Sequence, residues 1–330
     1  MRYTVRDKQI LARRLAMFAV LPALTSFLAS CARTENSAAS DKSAAAEKQV
    51  TQKTFGSPAE AGDALLAAAK SGDQNTLLAI FGPGSGDVLL SGDAVEDKNS
   101  LQDFVAAYNQ MHRWREVKVG GEMLYIGADN FLFPIPLGKN PQGQWSFDTG
   151  AGKDEILARR IGKNELGAIA ACGFLYDAQE QYFHQTHDAD KVKQYAQKLV
   201  SDDGKQNGLY WTPSDGAPPS PLEDIRDFAK GAGYANAGNN PQPFNGYLYR
   251  ILSKQGDKAK GGAKDYMVDG KLTGGFAILA WPAEYRNSGI MTFIVGKDGI
   301  VYQKDLGEKS ADIAASLAEY NPGDGWTPAI

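Results

Sequence analysis

The stretch RIGKNELGAIAACGFLYDAQEQYF, Arg160 to Phe183, constrains this chain more than any other. Leu166, Ile169, Gly173, Tyr176 and Phe183 recur at helical spacing as one apolar stripe, and Ala168, Cys172 and Leu175 widen it. A helix that is apolar on more than one side needs neighbours on more than one side, so it reads as a scaffold. Gly162, Gly167 and Gly173 each cost such a helix about 1 kcal/mol relative to alanine. That cost is most easily offset where another backbone approaches closely. The pattern predicts that Ile169 and Tyr176 are buried and that a side chain placed at Gly173 would clash.

The segments beyond the helix read as loops and then strands. A glycine- and proline-rich stretch from Ser201 to Pro243 has the composition of wrapping loops. GYLYRIL, GGFAILAWPAEY and GIMTFIVGKDGIVYQKDLG then alternate at strand spacing. TFIV and IVYQ flank GKDG, a short turn whose glycines permit positive φ, and this predicts a hairpin. One long helix is thus expected to precede an antiparallel sheet.

Ahead of the helix the text is different. SPAEAGDALLAAAKSG offers Ser57 as N-cap, Pro58 at the first helical position, Glu60 to close a capping box and Gly72 as the stop. QNTLLAIFG gives a second helix ending at Gly82, and Leu101, Phe104, Val105 and Tyr108 place a third over about Val95 to Trp114. EMLYIG, NFLFPIPLG and QWSFDT read as short strands. The fold class is therefore α+β: N-terminal helices plus a small sheet, then a long helix packed on an antiparallel β-sheet. The N-terminal order resembles the cone-shaped nuclear-transport-factor-like domains, a resemblance that implies a small-ligand-binding role for residues 55–150.

The N-terminus reads as an address. Arg2, Arg6, Lys8, Arg13 and Arg14 precede LAMFAVLPALTSFL, an apolar run of 14 residues. Spanning a bilayer takes about 18, whereas a signal-peptide core takes about 7 to 15. The run ends in LASC, Leu28 to Cys31, which resembles a bacterial lipobox and implies diacylglyceryl attachment to the Cys31 thiol. Ala32 stands where an inner-membrane retention signal commonly places Asp, so the lipoprotein sorting pattern implies an outer-membrane lipoprotein facing the periplasm. Residues 1–30 are thus expected to be removed, with 31–54 a tether, 55–150 an N-terminal α+β domain and 151–330 the helix and sheet.

Charge and cysteine content bound the function. The chain holds 35 Lys+Arg against 39 Asp+Glu, and Met1 to Ser30 takes away five basic residues and one acidic. The remainder has 30 against 38, a net charge of −8, which excludes a nucleic-acid binder. With Cys31 acylated, Cys172 is the single remaining thiol, so no internal disulfide forms.

RRIGKNELGAIAACGFLYDAQEQYF, NGLYW, SPLEDIRDFAK, GYLYRILSKQG, GGFAILAWPAEY and GIMTFIVGKDGIVYQKDLG together resemble the bacterial domain-of-unknown-function 2950 family, from Phe55 to near the end of the chain. The resemblance implies an exported, often lipidated protein. NELGAIAACGFLYDAQEQYF is also similar, more distantly, to the soluble half of the long helix of type IV pilins and pseudopilins, which precedes an antiparallel sheet. In a pilin that helix opens the mature chain as a membrane span; here it starts far inside. The resemblance implies a pilin-like module reused on a tethered protein.

No motif carries a reaction. His184, His187 and Asp188 in HQTHD have metal-ligand spacing but read better as a polar helix end. Asp188 and Asp190 lack the glycine of a calcium loop. GPGSG, Gly82 to Gly86, has no following lysine and reads as a helix stop. Cys172 lies on the apolar side of its helix, a buried small side chain. No cofactor and no metal are called for, and no catalytic residue is assigned. Among the aromatics Tyr247, Tyr249, Phe276, Trp281, Tyr285, Phe293 and Tyr302, most are core. Trp281 and Tyr285, with Glu284, are the candidates for binding a partner, either an envelope protein or a polymer. Glu284 and Asp305 form the best acid pair for the alternative, a hydrolase acting on an envelope polymer. The expected function is non-enzymatic binding or assembly, with the membrane reached through the lipid.

Overall fold

The computed structural model describes residues 51–117, 120–188, 190–212, 218–223, 242–323 and 325–329. Cys31, the signal segment, most of the tether and part of the Ser201–Pro243 stretch lie outside the described residues. The architecture is α+β. No helix among the described residues is long and apolar enough to cross a membrane.

The N-terminal half packs helices α1 (Pro58–Ser71), α2 (Gln74–Phe81), α3 (Gly86–Leu89) and α4 (Ala94–Gln110) on a small sheet. Ser57 caps α1 by accepting from the Glu60 N–H, while the Glu60 carboxylate accepts from Gly56 N at 2.8 Å. Gly72 ends the helix in the left-handed region at φ 66°. Asp73 and Asp93 cap α2 and α4 in the same way, each taking two backbone N–H groups of the first turn.

The sheet runs β1-β2-β4-β5, from β1 (His112–Val117), β2 (Gly121–Ile126), β4 (Leu137–Lys139) and β5 (Trp145–Phe147), with β3 (Phe131–Leu132) also on β2. Phe55 bridges Trp145 and extends the β5 edge. The helix expected to reach Trp114 stops at Gln110 instead. Met111 turns extended at φ −164°, and the next six residues pair in register with β2. Trp114 thereby packs inward on the aromatic interior rather than along a helix.

Helix α5 spans Thr149–Phe183, 35 residues, and so begins eleven residues before Arg160. Its N-cap is Asp148, which accepts from Ala151 N at 3.1 Å. Thr149 also donates its hydroxyl to Phe81 O at 2.7 Å, tying the start of the helix to α2. The buried residues are Gly152, Asn164, Ala168, Ala171, Cys172, Leu175, Ala178, Gln179 and Tyr182. Ile169 and Tyr176 are half-buried at the margin of that face, and Leu166 is 38% exposed. The core stripe is therefore rotated from the one the periodicity suggested. Gly173 corrects the expectation outright: a Cβ there meets nothing within 4 Å, and the same holds at Gly162. The close approach lies at Gly152, where a Cβ would stand 2.7 Å from Pro134 O and 2.8 Å from Ile135 Cα.

The C-terminal sheet is antiparallel throughout. Its strands are β6 (Tyr247–Leu252), β7 (Ala277–Pro282), β8 (Met291–Val295), β9 (Val301–Asp305) and β10 (Thr327–Pro328), in the order β10-β9-β8-β7-β6. The β8–β9 hairpin turns on Gly296–Gly299 as its sequence predicts, with Gly299 at φ 72°. Helix α5 covers one face of the sheet. On the other, α6 (Ser310–Ser316) is capped by Arg250, whose guanidinium donates to Ala314 O, Ala315 O and Leu317 O at 2.6–3.2 Å. A cation at the carbonyl end of a helix is favourably placed. Covered on both faces, Ile278, Leu279, Phe293 and Val295 are completely buried.

Candidate functional site

Along the buried stripe of α5 the i, i+4 series Arg160, Asn164, Ala168, Cys172 starts with two polar residues. They meet a ring of polar groups where the two halves join. The Arg160 guanidinium donates to Asp87 O at 2.7 Å and Val88 O at 2.6 Å, around α3, and also to the Asn287 side-chain oxygen. Asn287 in turn donates to Leu90 O at 3.0 Å and to the Glu284 carboxylate at 2.6 Å. One turn along α5, Asn164 donates to Ser288 O at 2.9 Å, and Glu165 accepts from Ile290 N and Met291 N at 3.0 Å each. Lys153 pairs with Asp87 and Lys163 with Glu96 at the solvent side.

The chain entering β6 completes the ring. Asn245 and Gly246 both have positive φ, 51° and 71°, the two-residue turn that asparagine and glycine favour. Gly246 N donates to the Asp93 carboxylate at 3.3 Å, and a Cβ on Gly246 would lie 2.4 Å from Asn164 Nδ2. Glycine is needed there for both conformation and space. Asn245 lies over Gly167, 3.1 Å from where a Cβ would be.

The electrostatics follow from burial. Desolvation raises the pKa of Asp97; hydrogen bonds from Ser91 and the charge of Arg160 oppose this, and Asp93 adds to it. Desolvation likewise lowers that of Arg160, against the pull of Asp97, Glu284, Asp87 and Glu96. The guanidinium stays charged and bridges its acceptors rigidly. Such a ring can hold two lobes in fixed register.

The residues singled out in the sequence have internal partners. Glu284 is drawn to Asn287 and sits against Gly92, with its Oε1 2.8 Å from the Cβ position there. Tyr285 donates to Asp305 at 3.0 Å, and Asp305 also takes Gly307 N. Glu284 and Asp305 therefore turn to different partners. Trp281 is half-buried, packed against the sheet core. Cys172 is sealed, and burial pushes its thiol up to about 12. His187 is buried, stacked 3.7 Å from the Tyr182 ring and bonded through Nε2 to Tyr182 O, while His184 is exposed at the end of α5. Asp188 takes Gln206 N, and Asp190 takes Lys271. Among the described residues no group of three or more His, Cys, Asp or Glu could hold a metal. Gly82–Gly86 is a helix stop: Gly82 caps α2 at φ 85° and Ser85 donates to its carbonyl.

Two features went unread in the sequence. The ring was signalled only by polar residues interrupting a core stripe, at Arg160 and Asn164. The second is β1, whose first three residues, His112 to Trp114, fall in the stretch expected to be helix and whose last three carry no assignment. In the small sheet the aromatic rings of Phe81, Phe104, Phe133, Phe147 and Trp114 fill the side facing the helices, with neighbouring centroids 5.2–6.5 Å apart. Strand β1 closes that sheet with five of its six residues exposed.

No curated protein and no solved structure matches the chain. Residues 52–329 match the family described as Protein of unknown function (DUF2950), a span that takes in both lobes and the polar ring between them. The chain belongs to the DUF2950 family.

Proposed function

We propose that this is a lipid-anchored envelope protein, tethered through Cys31 to the periplasmic face of the outer membrane, that works by binding a partner. The observation that carries the binding half is the asymmetry of the N-terminal sheet. Its β5 edge is extended by Phe55, while β1 at the other edge is exposed and, among the described residues, paired on one side only. An edge strand presents a row of unpaired backbone groups to a partner. In this reading α5 and its antiparallel sheet are a pilin-like spine, locked by the polar ring to the lobe that meets the partner. The anchoring half draws on the basic flank, the apolar run and LASC.

Two measurements on cells test the reading. Cys31→Ser should abolish incorporation of labelled fatty acid and move the protein from the outer-membrane fraction to soluble periplasm. A photo-crosslinker at Arg115 in intact envelopes should give a discrete adduct that a crosslinker at Lys309, on the far lobe, does not. A Cys31→Ser protein that still sediments with outer membrane sinks the anchor, and an absence of adducts from either position sinks the binding role.

A further inference from the structure

The backbone of β1 can be read group by group. Phe133 N donates to Leu124 O at 2.8 Å, so the polar groups of Leu124 face β3, and those of its neighbours Met123 and Tyr125 face β1. Gly127 N donates to Met111 O at 2.9 Å, which gives the same parity from the other strand. Met123 and Tyr125 pair with Arg115 and Arg113. Hence His112, Trp114 and Glu116 turn their N–H and C=O groups outward, away from the sheet.

The side chains divide in the same way. Trp114 points to the aromatic interior and His112 stacks on Tyr108 at 4.0 Å, so Arg113, Arg115 and Val117 occupy the opposite face. Arg113 lies over the Tyr125 ring at 5.4 Å. Arg159 lies over Phe131 at 4.9 Å, on the strand that pairs with the far side of β2. Arg113 and Arg115 are exposed and, among the described residues, neither has an ion-pair partner, in a chain of net charge −4. A second copy pairing antiparallel at this edge would bring arginines against arginines, which is unfavourable.

We propose that β1 is the docking strand for an extended acidic segment of a partner protein, which adds to the sheet beyond His112–Val117. The partner's backbone exchanges hydrogen bonds with His112, Trp114 and Glu116, and its acidic residues at alternate positions meet Arg113 and Arg115. This deepens the binding reading above and rests on it.

The test uses the full-length protein and three peptides: alternating glutamate and valine, alternating lysine and valine, and the first with a central proline. The glutamate peptide should bind and slow amide exchange at His112, Trp114 and Glu116, leaving Arg113 and Arg115, already bonded, unchanged. Glu116→Pro removes an outward N–H without touching the β1–β2 ladder. It should keep the melting temperature and weaken the peptide about tenfold or more. Arg113→Glu with Arg115→Glu should reverse the preference to the lysine peptide. Equal binding of all three peptides, protection elsewhere, unchanged binding by Glu116→Pro, or no saturation at about 1 mM overturns the assignment. So does binding of phosphatidylglycerol vesicles without protection of these amides, which would make the arginines a lipid site. Should the peptide fail while the Arg115 crosslink persists, the edge assignment falls and the binding role stands.

Discussion

Helix α5 contains a built-in experiment on what glycine does in a helix. Gly162 and Gly173 are interior helical positions where a Cβ meets nothing within 4 Å. Alanine there should gain the full difference in helix propensity, about 0.5–1 kcal/mol at each position. At Gly152 the same substitution drives a methyl to 2.7 Å from Pro134 O and 2.8 Å from Ile135 Cα. The opposing atoms are backbone, so relief requires moving α5 or the β3–β4 connection. Overpacking of this kind costs about 1–3 kcal/mol. Set against the propensity gain, Gly152→Ala should be destabilising by about 1–2 kcal/mol. Gly167 falls between, because the Asn245 side chain 3.1 Å away can shift. One chemical change on one helix should thus give opposite signs. Urea unfolding of the four single variants reads this directly, and each kcal/mol should also move the melting temperature by roughly 2–4 °C. A fall in stability for Gly173→Ala, or a rise for Gly152→Ala, would refute the packing described for this helix.

Three further outcomes concern the ring and the core beside it. Arg160→Leu strands the carbonyls of Asp87 and Val88 and the Asn287 side-chain oxygen, and should destabilise by about 3 kcal/mol in urea unfolding, given that hydrogen bonds to charged groups are worth about 1.5–3 kcal/mol each. Asp97 has a folded-state pKa raised above 3.8 by burial, so its ionisation removes stability as pH rises through the folded value. Asp97→Asn, which cannot ionise, should therefore gain on the natural protein between pH 3.8 and neutrality in paired urea titrations; a loss over that window would contradict the burial. Cys172, with its thiol pushed up to about 12, should resist iodoacetamide in the native protein and react on unfolding, and rapid native labelling traced to Cys172 would show an opening of the core.

The parts of the fold legible in the sequence are those where local chemistry decides the outcome. Ser57, Pro58, Glu60 and Gly72 bound α1 because caps and left-handed glycines are local devices. GKDG closes its hairpin because the turn type depends on those residues alone. Where tertiary contacts decide, the reading slips. The first turns of α5, with Gly150 and Gly152, are poor helix by propensity and are held by Asp148, Thr149 and the wall at Ile135. The helix marked by Leu101, Phe104, Val105 and Tyr108 has no local stop before Trp114, yet pairing with β2 takes the chain into a strand from His112. Gly173 illustrates the limit from the other side: three glycines in one helix look alike in sequence, and only the neighbours distinguish an open position from a crowded one. The polar ring is the least legible, since it joins residues from 87 to 291 that no spacing rule connects.

The same helix explains why that ring lies where it does. At about 1.5 Å per residue, the 35 residues of α5 span about 52 Å, long enough to serve two cores. Its first turns pack on the N-terminal core through Gly152 and Ile156, and its later turns on the C-terminal sheet through Ala168 to Tyr182. Between them lies Arg160 to Glu165, where neither core reaches and a helix would otherwise expose its sides to a crevice between lobes. Apolar residues there would have only each other's edges to cover them. Polar side chains instead find the unpaired carbonyls and amides that segments 82–93 and 283–291 bring to the crevice, and satisfy them. The geometry of each bond fixes the rotation of α5 about its axis as well as its position. A partner docked at β1, as proposed above, would thereby be held in a defined orientation to the C-terminal sheet, which is the property the proposed assembly role asks for.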